Sequence, residues 1–483
     1  MRNSMKGLRS MKNFFNLILA GSMLMLASCE IPTDLNDNPN EITLQDVDAN
    51  LFLNGAQLAN IMIQNSHVNR ISGMFSGQLV GYTSLYSNIY GYSLSTVESN
   101  DEWNGCYTGV LTNVRYIREA VPDDKLLVGI SKVVEAHAVG TLAILMGDVP
   151  YTEVVSEVED PKFDSQVSVL AALTLLLDSA ISDLGNASSR PEDYDIYYNG
   201  DKDKWLAAAY TLKARYALVQ SDYAGALTAA NNGISSSAGD MNFIPRGDAA
   251  VTEGDKNLFN AILSGSRTGD LGNNGSYLLE LLNDTTTAYR GNEKTNEATR
   301  HNYYKIDETS GEGNLGVIEQ FEPMPMVTYF ENQLIKAEAA ARTGGDGLGH
   351  LNDYRAWLAS GGRLNATFTD SAGLAGVQYD AYVDDDFASG GMENSDGGVD
   401  AATALLREII EERYVSGFGT YMPFNDHRRL RGDGETNLIP PFPLNTTAAT
   451  AHVERILYAQ DELTSNSSMD DDPGLYAKTE VNQ

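Results

Sequence analysis

A short tyrosine-rich stretch, residues 82–92, has the residue types that sugar recognition requires. Tyr82, Tyr86, Tyr90 and Tyr92 stand among serine, asparagine and glycine residues. Aromatic rings can pack on the C–H faces of sugars, and the neighbouring hydroxyl and amide groups can form hydrogen bonds with sugar hydroxyls. The sequence therefore predicts a ligand-binding surface at these four tyrosines.

A buried helical face is the alternative explanation for part of this stretch. The first three tyrosines are spaced by four residues, which also places them on one side of a helix. Tyr92 lies between glycine and serine, so we expect it to be the exposed member of the set. Trp103 and Tyr107 are also four apart, at the start of a predicted helix, and that spacing favours packing over ligand binding.

The other candidate motifs do not assemble a catalytic site. Residues 311–316 match the pattern G-x-G-x-x-G, but prolines follow them instead of a helix, so we interpret them as a loop. The six histidines show no zinc-ligand spacing, and His137 lies in apolar helical sequence typical of a core. The paired carboxylates of a glycoside hydrolase stay an open alternative, since their geometry is invisible in a sequence. We predict a binding protein without catalytic residues.

An acidic run near the C-terminal third of the chain could bring oxygen ligands around a calcium ion. It consists of Asp380 and of Asp384, Asp385 and Asp386. The glycine and the spacing of an EF-hand loop are missing, so a solvated acidic loop is the preferred interpretation. The sequence therefore predicts no cofactor and no metal site, and a structural calcium ion is an alternative that no motif supports.

Helical periodicity dominates the elements that must position these residues. Residues 204–234 give two helices separated by a polar break at Ser221 and Asp222, and Trp205 lies on the apolar stripe of the first helix. The pair resembles one tetratricopeptide repeat, in which neighbouring helix pairs must stack to bury their faces. A similar pair follows at 328–359. The fold class that we predict is mainly α.

Two stretches, 240–325 and 361–402, interrupt the helical pattern. Glycine, asparagine, aspartate, serine and threonine dominate them, and few apolar positions recur periodically. We interpret both as long structured loops, which are uncommon in compact domains unless they are functional.

The first helix that the sequence predicts, over residues 47–64, has an apolar face. The periodicity places on one face Leu51, Leu58, Ile61 and Met62.

The N-terminus has the layout of an export signal. Its cationic lead contains Arg2, Lys6, Arg9 and Lys12. Residues 14–26 are mostly apolar, and the small residues Ala27 and Ser28 precede Cys29. The apolar core is shorter than the ~20 residues that span a bilayer, so a signal is favoured over a transmembrane helix. No later stretch is an uninterrupted apolar run long enough to span, so we expect no other membrane helix.

Residues 26–29, Leu-Ala-Ser-Cys, resemble the lipobox of bacterial lipoproteins, in which the cysteine is acylated and becomes the mature N-terminus. The resemblance implies that Cys29 carries a lipid anchor. The chain has one other cysteine, Cys106, so a Cys29–Cys106 disulfide in an oxidising compartment is the alternative.

The charge balance excludes one class of partner. Aspartate and glutamate total 66 against 33 lysine and arginine, which gives a formal net charge of −33 at pH 7. A field of that sign repels nucleic acid and anionic lipid headgroups. We therefore expect no nucleic-acid partner.

Several stretches resemble, in order, the SusD/RagB outer-membrane lipoproteins of Bacteroidetes. They read "EWNGCYTGVLTNVRYI", "LMGDVPYTEV", "NGDKDKWLAAAYTLKARYAL", "TYFENQLIKAEAA", "IIEERYVSGFG…NDHRRL" and "RILYAQDELTSN". The Gly-Asp-Val-Pro-Tyr turn at 147–151 is the most specific match. Tyr414 and Val415 stand where the family usually has Glu-Leu, and Ala459 stands where proline is common, which indicates a divergent branch.

This resemblance implies a lipid-anchored protein on the outer surface of the outer membrane. It implies a lid on a TonB-dependent, SusC-like transporter, which captures nutrients, most often glycans, without catalysis. The expected organisation is a lipoprotein signal peptide at 1–28, a lipid-anchored tether at 29–48 and a SusD-like domain at 49–483. We predict oligosaccharide capture. A peptide-capturing member of the same architecture, a surface glycoside hydrolase and a purely structural scaffold are the alternatives.

Overall fold

The computed structural model of this protein describes residues 48–155, 158–247, 255–311, 313–374, 376–469 and 471–483. The predicted signal peptide, Cys29 and nearly all of the predicted tether lie outside these residues, so lipidation of Cys29 and the domain boundaries stay predictions. Cys106 is described, and its thiol is buried. Residues Ala49–Gln483 form one compact unit.

Helices make up most of this unit. In chain order they are α1 (Ala49–Asn65), α2 (His67–Phe75), α3 (Ser84–Tyr90), α4 (Asn100–Asn104), α5 (Thr112–Ala120), α6 (Lys125–Met146), α7 (Gln166–Gly185), α8 (Lys202–Val219), α9 (Tyr223–Ala230), α10 (Leu258–Leu263), α11 (Tyr277–Leu282), α12 (Ala298–Tyr304), α13 (Tyr329–Arg342), α14 (Gly347–Ala359), α15 (Ala366–Ala372), α16 (Asp384–Phe387), α17 (Ala401–Ser416), α18 (Met422–Gly432) and α19 (Gln460–Ser465). A π-helical stretch, Gly105–Leu111, joins α4 to α5.

The strands of the described residues are short and form two-stranded antiparallel pairs. They are β1 (Val80–Gly81), β2 (Val149–Pro150), β3 (Phe163–Asp164), β4 (Met241–Phe243), β5 (Leu271–Gly272), β6 (Thr295–Asn296), β7 (Met324–Val327) and β8 (Gln378–Tyr379). The pairs are β1 with β5, β2 with β3, β4 with β7, and β6 with β8. These pairs connect loops to one another and to the helices, and they do not form a separate sheet layer among the described residues.

Three helix pairs stack in sequence order: α6 with α7, α8 with α9, and α13 with α14. Within the stack α7 packs on α8, and α9 packs on α13. Each of these six helices follows an N-cap residue whose side chain accepts a backbone N–H of the first turn; these residues are Asp124, Ser165, Asp201, Asp222, Thr328 and Asp346. The predicted mainly α fold with tetratricopeptide-like helix pairs is confirmed.

The centre of the stack shows why the sequence folds this way. Trp205 is fully buried, its ring lies 5.1 Å from that of Tyr198, and its indole N–H donates to Asp195 at 2.7 Å. A Cβ on Gly140 would lie 2.1 Å from the Tyr216 hydroxyl, so only glycine permits α6 and α8 to approach this closely. The predicted core position of Trp205 is confirmed.

The two most apolar long helices play different parts. By length and composition both α6 and α7 could cross a membrane, but 94% of the most apolar window of α6 is buried inside the fold. The corresponding share for α7 is 33%, and its Leu175 is 69% exposed. Thus α6 is a core helix, while α7 packs with one face and presents the other at the surface.

Helix α1 presents an apolar side outward. Its predicted apolar face is covered only at Ile61, because Leu51, Leu58 and Met62 are exposed. Buried polar residues on the opposite side, among them Gln57 and Asn60, make hydrogen bonds inside the fold. The helix is where the periodicity places it, but it packs through a partly polar face.

The described parts of the two loop-rich stretches contain helices and strands and take part in the core. Helices α10, α11 and α12 and strands β5 and β6 lie in the first, and α15 and α16 lie in the second. Tyr303 and Tyr304 at the end of α12 are fully buried. These stretches therefore form a second, irregular half of the domain beside the helix pairs.

A set of buried charges, which we name the charged cluster, joins α13, α17 and α18. It comprises Glu338, Arg342, Arg413, Asp426 and Arg429. The Glu338 carboxylate lies 2.9 Å from guanidinium nitrogens of both Arg342 and Arg429. Asp426 pairs with Arg413 at 2.8 Å. Each of these charges therefore has an opposite charge beside it.

Candidate functional site

The tyrosine-rich stretch is held by the first loop-rich region. Strand β1 pairs with β5, and α3 follows directly after it. The Tyr82 backbone N–H donates to the Asp270 carbonyl at 2.8 Å, and the Thr83 hydroxyl donates to the Asp270 carboxylate at 2.6 Å. The segment is therefore fixed against residues far away in the sequence.

Tyr82 presents part of its ring at this junction. Its hydroxyl donates to the Asn274 carbonyl at 3.0 Å, and the side chain is half-buried. A Cβ on Gly272 would come within 3.0 Å of the Tyr82 ring, so the glycine lets the ring lie against the backbone. Burial, followed by the negative charge of Glu308, raises the pKa of Tyr82 from 10.0 to about 12. The phenol therefore stays neutral and its orientation is fixed.

Tyr90 ends α3 and is also half-buried. Burial raises the pKa of its hydroxyl, and its position is near enough to Tyr82 for the two groups to interact electrostatically. Asn88 on α3 and Asn274 after β5 are exposed, and Glu308, on the segment after α12, is part-exposed. We name this set, Tyr82, Tyr90, Asn88, Asn274 and Glu308, the tyrosine surface.

Tyr86 lies in the core instead of on this surface. It is 2% exposed, its hydroxyl accepts a hydrogen bond from Arg70 Nε at 2.9 Å, and its ring meets His67 edge-on at 5.7 Å. A buried ring has no free face for a ligand, so the alternative of a packed helical face is the correct one for this tyrosine.

The expectation that Tyr92 is the exposed tyrosine is wrong. Tyr92 is 8% exposed, its ring lies 5.6 Å from Phe75, and its hydroxyl accepts a hydrogen bond from the Asn445 N–H at 3.1 Å. The backbone of Tyr92 has a φ of 65°, so the chain reverses after α3 and turns the ring inward. The flexible glycine and serine context was therefore misinterpreted as exposure.

The expected packing role of Trp103 is confirmed. Trp103 is 3% exposed, and its ring lies 5.0 Å from Tyr107 and 6.0 Å from Phe163. The Tyr107 hydroxyl donates to the Pro150 carbonyl, which ties this helix to the Gly-Asp-Val-Pro-Tyr turn.

Two of the other motifs fall where the sequence placed them: the described residues of 311–316 form turns and loop, and His137 is 1% exposed on α6. The prediction of a solvated acidic loop is wrong in part. Asp380, Asp384 and Asp385 are exposed, but the last two belong to the short helix α16, where Asp386 is buried and pairs with Lys294 at 2.6 Å. Within the part of the chain that the structure describes, no three histidine, cysteine, aspartate or glutamate side chains converge as metal ligands would.

Sequence reasoning missed Asn274 and Glu308. Both belong to the loop-rich stretch 240–325, whose composition indicated a functional loop but singled out no residue. They meet Tyr82 only because β1 pairs with β5, and a two-residue strand gives too short a pattern to identify in advance.

Comparison with known proteins places the fold and the family. A family profile described as SusD-like, "starch-binding associating with outer membrane", matches residues 39–353. No curated protein sequence matches the chain significantly.

Solved structures share the fold at low sequence identity. A SusD/RagB family protein from Bacteroides thetaiotaomicron is 19% identical, with a TM-score of 0.65 over 87% of this chain and 95% of that one. A chitin-binding SusD homologue from Flavobacterium johnsoniae is 15% identical, with a TM-score of 0.63 over 89% and 98%. A SusD homologue from Bacteroides fragilis is 17% identical, with a TM-score of 0.63 over 90% and 100%. Since the family profile covers well over half of the chain, the chain belongs to the SusD/RagB family of SusD-like proteins.

Proposed function

We propose that this protein is a surface-exposed outer-membrane lipoprotein that captures oligosaccharides and delivers them to a TonB-dependent, SusC-like transporter. The observation that carries the proposal is the tyrosine surface, where the part-exposed Tyr82 ring adjoins Glu308 and its hydroxyl donates to the carbonyl of the exposed Asn274. Rings and fixed polar groups in this combination suit sugars, which present both C–H faces and hydroxyls. The family description as starch-binding and the chitin-binding homologue support the same class of ligand.

The proposed activity is binding without catalysis. The tyrosine surface contains one carboxylate, Glu308, and the neighbouring Asp270 is engaged by Thr83 and Arg267. Hydrolysis of a glycosidic bond needs two carboxyl groups on either side of the bond. A reducing-sugar assay, with the oligosaccharides that bind in the experiment below, tests whether the protein is catalytic. Release of reducing ends would favour the glycoside hydrolase alternative over the proposal.

The central experiment is a binding measurement on the protein lacking residues 1–29. Maltooligosaccharides, chitooligosaccharides and a mixed peptide library are titrated calorimetrically. We expect binding of an oligosaccharide, and a loss of about two- to tenfold in affinity for Tyr82→Ala or Tyr90→Ala, which corresponds to the ~0.5–1.5 kcal/mol of an aromatic contact.

Tyr194→Ala is the matched control, because Tyr194 is a part-exposed tyrosine (39%) on the helix-pair half of the domain. The affinity of the Tyr194→Ala variant for the oligosaccharide should equal that of the unmodified protein. Binding of peptides alone would favour the peptide-capturing alternative, and oligosaccharide binding unaffected by both tyrosine substitutions would remove the site from the tyrosine surface.

The lipid anchor has its own test. Cys29→Ser in the full chain should shift the protein from the membrane fraction to the soluble or unprocessed fraction. Palmitate labelling that persists in this variant would contradict acylation at Cys29.

A further inference from the structure

Glu308 has an unusual setting on the tyrosine surface. A Cβ built on Gly272 would lie 3.0 Å from both the Cβ of Glu308 and the ring of Tyr82, so the two side chains adjoin across this glycine. The negative charge of Glu308 contributes to the raised pKa of the Tyr82 hydroxyl. The carboxylate therefore belongs to the same small surface as the ring that the proposed ligand would contact.

The charge of Glu308 is not neutralised by the described residues around it. Arg267, which precedes β5, lies 3.4 Å from Asp270 and pairs with that carboxylate. The described ion pairs include none with Glu308, while the exposed side chains of Asn88 and Asn274 are uncharged. The tyrosine surface consequently has a net negative charge on a chain whose formal net charge is already −33.

We infer that the tyrosine surface selects neutral or amine-bearing glycans and rejects glycans that carry carboxylate or sulfate groups. This inference rests on the proposed function. The Glu308 carboxylate accepts hydrogen bonds from a sugar hydroxyl or ammonium group beside the Tyr82 ring. An anionic sugar in the same place would leave two like charges close together, which is unfavourable and discriminates against the wrong ligand.

The test compares ligands that differ only in charge. Maltoheptaose and the same oligosaccharide oxidised at C6 to uronic acids are titrated against the protein lacking residues 1–29, and so are chitohexaose and its deacetylated form. We expect each neutral or amine-bearing probe that binds to have an affinity at least about tenfold higher than that of the oxidised probe. The difference should narrow at high salt, because ionic screening weakens the repulsion.

Variants of Glu308 separate the local charge from that of the whole chain. Glu308→Gln should reduce the preference for the neutral probe over the oxidised probe several-fold. In Glu308→Lys, the dissociation constant of the oxidised probe should be close to or below that of the neutral probe. The control is Glu119→Gln, at an exposed position on α5, which changes the net charge by the same amount as Glu308→Gln. It should leave the preference for the neutral probe unaltered. Thermal melting of each variant checks that it is folded.

The outcomes distinguish this inference from the proposed function. If no oligosaccharide binds to the unmodified protein, the proposed function fails and this inference with it. If neutral and oxidised probes bind equally, or if Glu308→Lys leaves the preference unchanged, glycan capture stands and the inference about Glu308 is overturned.

Discussion

The charged cluster and the tyrosine surface hold their carboxylates in contrasting ways. Glu338 in the charged cluster is fully buried, and three arginines surround it. Burial acts to raise the pKa of Glu338, but Arg429, Arg413 and Arg342 together lower it below its usual value. Glu308 on the tyrosine surface is part-exposed, and no described lysine or arginine pairs with it.

The difference shows where this protein can leave a charge unpaired. An isolated charge in the interior costs several kcal/mol, so a buried carboxyl group either pairs with a cation or has a raised pKa and holds its proton. At the surface water solvates the carboxylate, and the group stays available for a ligand. The arginines of the charged cluster on α17 and α18 are therefore structural, while Asn274 and Glu308 of the proposed ligand surface lie on loops.

The largest effect is expected from breaking the charged cluster. Glu338→Ala removes the fully buried carboxylate that contacts three arginines and leaves Asp426 as the acid that Arg413 and Arg429 still share, so we expect the free energy of unfolding to fall by about 3–5 kcal/mol. Urea denaturation measures it. The control is Glu435→Ala, whose carboxylate is one-third exposed beside Arg342, and it should cost less than about 1 kcal/mol. Equal losses of unfolding free energy in the two variants would show that a buried carboxylate contributes no more to stability here than a part-exposed one.

Tyr92 tests the layer beneath the tyrosine surface. Because its ring is buried against Phe75, Tyr92→Ala should lower the free energy of unfolding by about 2–4 kcal/mol. The affinity of the folded variant for an oligosaccharide should be unchanged. A stable Tyr92→Ala variant with weakened binding would instead place this ring on the ligand side.

Glu322 gives a pH-dependent comparison with the charged cluster, because it is buried without an arginine within ion-pairing distance among the described residues. Its carboxylate accepts hydrogen bonds from the Tyr303 hydroxyl and from Asn365, and burial raises its pKa from 4.5 to about 7. A pKa raised on folding stabilises the protein at low pH, and that stabilisation is lost as the pH rises through 7.

The unmodified protein should therefore lose roughly 1–1.5 kcal/mol more of its unfolding free energy between pH 6 and pH 8 than Glu322→Gln, which cannot titrate. Urea denaturation at both pH values measures the difference. Parallel pH profiles for the two proteins would mean that Glu322 is ionised throughout this range.

The smallest effect concerns the hydroxyl of Tyr82. Tyr82→Phe removes only a hydrogen bond to the exposed Asn274, so we expect a loss of no more than about 0.5 kcal/mol in stability and of about threefold or less in affinity. Tyr92→Phe, which removes a buried hydrogen bond, should cost about 1 kcal/mol in stability. The reverse order of stabilities would contradict the assignment of surface and core.

The sequence by itself determined the elements and the class of fold. Apolar spacing of three and four residues, with aspartate or threonine caps, specifies helices locally, and so the helix pairs and the core position of Trp205 were predictable. Spacing also identified the packing of Trp103 and Tyr107. These signals lie within a few residues of one another and need no knowledge of the rest of the chain.

Only the tertiary structure decided which side chains are buried and which are exposed. Helical periodicity placed Leu58 and Met62 on an apolar face, but the fold covers the opposite side of α1. Tyr92 is buried because a positive φ and the distant Asn445 close over its ring, and Glu308 reaches Tyr82 through the pairing of β1 with β5. Exposure depends on what packs from elsewhere in the chain, and short local patterns contain no information about such long-range contacts.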